Sequence, residues 1–309
     1  MTSVAFMGLG VMGRGMAARL IEQRVPLVVW NRRRERADAL VAESASAGAR
    51  VAVSPREAAA AADIVLSMVA DDRASRAVWL GEDGALAGAR PQTVLIESST
   101  LSPAWIEELA SQAASRGCVL LDAPVTGSRT HAASGQLLFL VGGAAEPLER
   151  ARPVLAMMSR AILHVGPTGS GSRLKLVNNF VCGVQAVALA EAVAMIERAG
   201  LNRDLATSVL ADGAPGSPLV KALVPRMTSP DPTVHFGLDL MRKDLSYAIA
   251  EADRFGLHLE SAAAARDRFS QASAAGLGGR DFSAVVDVVR KSPGPDPTAP
   301  TASTSEAPG

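Results

Sequence analysis

Gly171–Gly200 reads GSRLKLVNNFVCGVQAVALAEAVAMIERAG, with no proline in it. The small-residue lead-in GPTGSG opens the stretch and Gly200-Leu201-Asn202 breaks it, which together mark one helix. At 1.5 Å per residue this helix is roughly 45 Å long, more than one side of a compact domain's core needs. Lys175 and Asn179 are four residues apart near its start and so share a face. The chain before it alternates strand and helix patterns, and the chain after it is helical.

The 309 residues are enough for one large domain or two ordinary ones. Lys plus Arg and Asp plus Glu number 31 each, so no net field argues for nucleic acid or an anionic membrane surface as a partner. The two cysteines, Cys118 and Cys182, suit neither a disulfide framework nor a zinc site and read as buried thiols in a reducing compartment. His131, His164, His235 and His258 are scattered without metal-ligand spacing, so no metal is expected. A strand begins by Val4, leaving no room for a signal peptide. No apolar run is read as reaching the roughly 20 residues of a membrane span. A soluble, cytoplasmic protein is expected.

Before the long helix, the apolar runs Val4–Met7, Leu27–Trp30, Val51–Val53, Ile64–Val69, Val94–Ile96, Val119–Asp122 and Leu137–Val141 read as strands separated by helices. Ser102 is placed to cap a helix beginning at Pro103. Unalternating strands in strand–helix units signify an α/β fold with a doubly wound parallel sheet, ending near His164. Helices are expected at Arg203–Ala211, Pro218–Arg226, Gly237–Phe255 and Leu259–Ala275. Residues 292–309, mostly Pro, Ser, Thr, Ala and Gly, are expected to be a disordered tail. The domains are thus 1–164, 165–291 with the long helix, and the tail.

Gly8-Leu9-Gly10-Val11-Met12-Gly13 follows the first strand and opens a helix. In that context the glycines permit a tight turn and let a pyrophosphate approach backbone amides at the positive end of the helix. The second strand ends in Asn31-Arg32-Arg33, with no acid before Glu35. Dinucleotide sites that bind NAD usually place an acid there for the ribose hydroxyls, whereas a 2′-phosphate calls for a cation. NADPH is therefore favoured, with NAD possible.

These motifs, with Met16-Ala17, Ser99-Thr100 before Ser102-Pro103, Asp122-Ala-Pro-Val-Thr-Gly-Ser128, Gly169-x-Gly171-x-x-x-Lys175-x-x-Asn178-Asn179 and Lys243-Asp244-Leu245, resemble the β-hydroxyacid dehydrogenase family over about residues 4–290. The resemblance implies a Rossmann domain joined by a long helix to an all-helical domain that binds substrate and forms a homodimer or homotetramer. It implies Lys175 as the catalytic lysine, with Asn179 beside it. Thr126, Gly127 and Ser128 would hold a substrate carboxylate. Met68, Val69 and Thr100 would line the cofactor, and Lys243 would lie near its nicotinamide end. Independently, reducing a carbonyl builds negative charge on oxygen, which calls for a cation able to give a proton.

Thr126 stands where the family usually has serine, Ser128 replaces a glycine, and Glu97 replaces a common aspartate. The stretch Gly127–Leu137 and Phe236-Gly-Leu-x-Leu-x-x-Lys-Asp244 look like the glyoxylate/succinic semialdehyde reductase branch. The expected reaction is hydride transfer between NADP(H) and a small hydroxyacid, semialdehyde or keto acid. Two alternatives share the architecture: an imine reductase, and a non-catalytic NADP-binding protein. Lys175 argues against both.

Overall fold

In the computed structural model the described residues are 2–43, 48–229 and 231–291. The tail expected at 292–309 lies outside them. The first half runs β1 (Val4–Met7), α1 (Val11–Glu22), β2 (Leu27–Trp30), α2 (Arg34–Glu43), β3 (Arg50–Val51), α3 (Pro55–Ala60), β4 (Ile64–Ser67), α4 (Asp72–Trp79), α5 (Ala85–Gly88), β5 (Val94–Glu97), α6 (Pro103–Ala114) and β6 (Val119–Asp122). It continues through β7 (Val125–Thr126), α7 (Arg129–Ala133), β8 (Leu137–Gly142), α8 (Ala145–Ala156) and β9 (Ser159–Gly166).

Sheet order is β3-β2-β1-β4-β5-β6-β8-β7, with β9 also on β8. The chain reverses direction across the sheet between β1 and β4, the crevice where doubly wound sheets bind ligands. From β3 to β6 every pairing is parallel. The expectation of a wholly parallel sheet needs correcting beyond β6, because β8 pairs antiparallel with both β6 and β7. The short turn through Arg129–Ala133 leaves no room for a crossover helix between β7 and β8, so that connection is a hairpin. Two strands escaped the sequence reading: β7, only two residues long, and β9, whose mostly half-buried and exposed residues lack an apolar run. β9 also runs past His164 to Gly166.

Successive strand residues point to opposite faces. Val4 and Phe6 pack with Met16, Leu20 and Leu148, while Ala5 and Met7 pack with Ala58, Trp79 and Trp105. Both faces are covered, which explains why these strands are apolar throughout. Each buried Val, Leu, Phe or Met side chain among them contributes roughly 1.5–3 kcal/mol. Ser102 caps α6 as expected, accepting from Trp105 N at 3.2 Å, with Pro103 first in the helix.

The second half is α9 (Ser170–Arg198), α10 (Arg203–Asp212), α11 (Pro218–Thr228), α12 (Leu238–Asp253), α13 (Glu260–Ala272) and α14 (Val285–Lys291). A core of Ala186, Ala190, Val193, Leu223, Met241, Leu245, Phe269 and Val285 packs α11–α14 around α9. α9 is long and apolar enough to cross a membrane by length and composition, which corrects the sequence reading; half of its most apolar window is buried inside the protein. On α9, Val187 and Ala194 are buried in the helical core, whereas Ala188 and Met195 are exposed.

Candidate active site

The glycine turn joins β1 to α1 at the carboxyl edge of the sheet. Gly8 has φ 96°, and a Cβ on it would lie 2.3 Å from the Met68 carbonyl oxygen. A Cβ on Gly13 would lie 2.0 Å from the Gly8 carbonyl. Gly10 differs: nothing stands within 4 Å of its Cβ position. Gly10 is the N-cap of α1 and supplies no side-chain cap, so the first-turn amides, including those of Val11 and Met12, are left without one beside the open space at Gly10. That open cradle of uncapped amides fits a dinucleotide pyrophosphate.

Asn31 braces this turn from the end of β2. Its Oδ1 accepts from Leu9 N at 2.8 Å and its Nδ2 donates to Arg33 O at 2.8 Å. The amide expected to meet cofactor is therefore committed to the loop itself. Arg32 and Arg33 are exposed and, among the described residues, carry no ion pair.

Met68 and Val69 follow β4, where Met68 N donates to Met7 O at 2.8 Å and Val69 N to Ser99 Oγ at 2.7 Å. Thr100 follows β5, and its carbonyl accepts from Lys243 Nζ at 2.5 Å. That bond carries α12 of the helical half onto the cofactor-binding half. A second link is Asp72 N donating to Tyr247 Oη at 3.3 Å, and burial pushes the Tyr247 phenol up to about 12. Ionic contacts reinforce the junction: Arg173 on α9 meets Glu107 on α6 and Glu251 on α12.

Asp122 ends β6 fully buried, and its carboxylate accepts from Gly169 N and Ser172 N, both at 2.7 Å. The strand end thus caps α9, a role the motif reading quoted without assigning. Burial pushes the Asp122 carboxyl up, while the two amides pull it down.

Lys175, one turn further along α9, is 9% exposed. Among the described residues no hydrogen bond or ion pair engages its ammonium. Burial pushes its pKa below the ordinary lysine value; Asp244 opposes the shift and Lys243 adds to it. Asn179 lies on the same face, 5% exposed, its Nδ2 on Asp244 Oδ2 at 2.6 Å and its Oδ1 accepting from Asn178 Nδ2 at 3.0 Å. Asp244, 1% exposed, also pairs with Lys243 at 3.0 Å. Asn179, Asp244, Lys243 and Thr100 therefore form one connected cluster between the two halves, with Lys175 one turn before Asn179 on the same face of α9. The place of Asp244 in this cluster is not legible in the sequence, where the available signal is an acid next to Lys243.

Thr126 ends β7, and Gly127 and Ser128 lead into α7. The Ser128 hydroxyl lies 2.6 Å from Thr130 Oγ1 and 2.7 Å from His131 Nδ1, and Ser128 N donates to His131 Nδ1 at 3.0 Å. A cavity of about 330 Å³ lined by Arg226, Asp281 and Arg290 holds none of these residues, so cavity size does not mark the site.

Residues 3–166 match the family model for the NAD binding domain of 6-phosphogluconate dehydrogenase. Residues 169–289 match the model described as the NAD-binding region of NADP-dependent 3-hydroxyisobutyrate dehydrogenase. The chain belongs to the β-hydroxyacid dehydrogenase family. The 3-sulfolactaldehyde reductase of Escherichia coli (strain K12) is 34% identical over 95% of this chain and 98% of its own length. Glyoxylate/succinic semialdehyde reductase 2, chloroplastic, of Arabidopsis thaliana is 32% identical over 93% of this chain and 79% of its own. Among solved structures, Mycobacterium tuberculosis 3-hydroxyisobutyrate dehydrogenase with L-serine superposes with a TM-score of 0.81 at 34% identity, covering 94% of this chain and 99% of that one. As a β-hydroxyacid dehydrogenase, the protein is an NAD(P)-dependent oxidoreductase, with an N-terminal NAD-binding domain and a helical C-terminal domain.

Proposed function

We propose that this enzyme is an NADP(H)-dependent reductase of a small aldehyde or keto acid bearing a carboxylate, working in reverse as a hydroxyacid dehydrogenase. One observation carries the reading: Lys175 is a buried ammonium without an ion-pair partner, on the same face of α9 as Asn179. When bound, the nicotinamide supplies or accepts the hydride. Lys175 Nζ gives its proton to the carbonyl oxygen as charge grows there, and takes it back in the oxidative direction. Its lowered pKa eases that transfer.

Asn179, held at Nδ2 by Asp244, keeps one N–H for the substrate oxygen. Thr126, Gly127 and Ser128 receive the carboxylate, which orients the carbonyl toward Lys175. Lys243, which donates to the Thr100 carbonyl and ion-pairs with Asp244, has N–H groups left for the nicotinamide end of the cofactor. Arg32 and Arg33 supply the positive charge for the 2′-phosphate. The relatives named for glyoxylate, succinic semialdehyde and sulfolactaldehyde support short acidic aldehydes as the substrate class.

The test follows NADPH absorbance with glyoxylate, succinic semialdehyde, tartronate semialdehyde and methylmalonate semialdehyde, each repeated with NADH, and with a cyclic imine as the competing substrate. Turnover of one aldehyde, faster with NADPH, is expected. Reduction of the imine alone overturns the reading.

We also infer a homodimer or homotetramer. Leu174, Val177, Val181 and Met195 are exposed on α9 at helical spacing, an apolar stripe that a second copy would cover. Light scattering of the purified protein should give twice or four times the 31.9 kDa chain mass; a monomer at micromolar concentration overturns this.

A further inference from the structure

Beneath the Val69–Thr100 turn region lies a carboxylate that the proposed chemistry leaves unused. Glu97, the last residue of β5, is 0% exposed and, among the described residues, has no cationic partner. Donors satisfy it instead. Ser75 Oγ at 2.6 Å and Trp79 Nε1 at 2.7 Å meet Oε2, both from α4. Ser99 meets Oε1 twice, through its amide at 2.9 Å and its hydroxyl at 2.5 Å.

Burial pushes the Glu97 carboxyl up while these bonds pull it down; as the acceptor of all four, it fixes the direction of each hydroxyl. Ser75 gives its proton to Glu97 while accepting from Trp105 Nε1 at 2.9 Å. Ser99 gives its proton to Glu97 and must offer a lone pair to Val69 N–H. The chain Val69–Ser99–Glu97–Ser75 and Trp79 thus ties the turn after β4, the turn after β5 and α4 to a single buried group. Thr100, next to Ser99, is the residue on which Lys243 docks. Burying a carboxylate without a cation is costly, and apolar packing would serve stability as well. What the carboxylate adds is a fixed register.

We propose that Glu97 is a positioning residue for the nicotinamide cofactor, setting Val69 and Thr100 in place through the hydroxyl of Ser99. The inference rests on the reading that Met68, Val69 and Thr100 line the cofactor. It predicts that changes at Glu97 and at Ser99 act on cofactor binding through one path, so their effects do not multiply.

The experiment measures the NADPH dissociation constant by titration calorimetry on the intact protein, with the Tm of each variant alongside. Glu97→Gln and Ser99→Ala should each weaken NADPH about tenfold, and the double variant should bind no more weakly than the weaker single one. Glu97→Gln lowering Tm while leaving the dissociation constant within twofold, with Ser99→Ala weakened, overturns the inference alone. Effects that multiply in the double variant overturn it too. An unchanged constant in Ser99→Ala overturns the inference as well, since that hydroxyl is the proposed path, whereas no NADPH binding by the wild type removes the reading on which the inference rests. Should Glu97→Gln not fold, Trp79→Phe keeps most of the ring packing and deletes one donor to Glu97. A threefold or greater weakening of NADPH there supports the inference, and no change overturns it.

Discussion

Asn179 donates its side-chain amide to Asp244 at 2.6 Å, so the helix that carries Lys175 and the helix that carries Lys243 are tied at the site itself. Asp244 is also the nearby negative charge that holds the Lys175 pKa up against burial. Replacing it by asparagine removes that charge and lets the lysine fall further. With Lys175 as the proposed proton donor, the alkaline fall of kcat in Asp244→Asn should move to lower pH, with kcat at neutral pH reduced about tenfold or more. A pH–rate profile of the variant beside the wild type checks this.

Lys175→Met should lower turnover by about 10²–10⁴-fold while NADPH still binds. The same change should raise stability at neutral pH. The folded-state pKa of Lys175 lies below its unfolded value, so the unfolded chain binds more protons and stability rises as pH climbs from the folded pKa to the unfolded one. Below that window the cost of burying the charge is fully present, and the methionine variant is spared it. Thermal melts at pH 7 should show a higher Tm for Lys175→Met, with the gap narrowing as pH rises through the window.

Gly10→Ala and Gly13→Ala should separate binding from folding. A Cβ at Gly10 meets nothing within 4 Å, whereas one at Gly13 stands 2.0 Å from the Gly8 carbonyl. Gly10→Ala should melt within about 2 °C of wild type yet bind NADPH at least tenfold more weakly, because the methyl enters the pyrophosphate cradle. Gly13→Ala should lose stability by about 1–3 kcal/mol in chemical denaturation, as the turn and α1 move apart.

Arg32→Ala should raise the KM for NADPH about tenfold or more and leave that for NADH nearly unchanged, since only NADPH carries the 2′-phosphate. Equal losses for both cofactors in steady-state assays would assign Arg32 to adenine stacking instead.

Asp122→Asn should weaken the start of α9. One of the two accepted amide bonds would face an NH2 group in place of an oxygen, costing about 1.5–3 kcal/mol. Denaturant unfolding measures the loss, and a drop in kcat at temperatures where the variant is folded would show that Lys175 has shifted with its helix.

Much of this architecture was legible from local patterns. β1, β2 and β6 have the bounds their apolar runs indicate, and Ser102 and Pro103 start α6 where capping chemistry places them. β7 and β9 were not legible, because a two-residue strand has no periodicity and β9 is mostly half-buried or exposed. The site divides in the same way. Lys175 and Asn179 share a face by helical spacing alone. The bond from Lys243 to Thr100 spans 143 residues of sequence and depends on how α12 docks. The engagement of the Ser128 hydroxyl with His131 and Thr130 follows from turn geometry that composition does not encode.

The carboxylate of Asp122 gives the protein a division of labour. With the last residue of β6 gripping the first turn of α9, the start of the helix that carries Lys175 is anchored to the sheet as well as to the helices packed around it. The Thr126–Ser128 turn and the far side of the helical core are not bound by that grip. Side chains there can change in size and charge without altering the two bonds that anchor the start of α9.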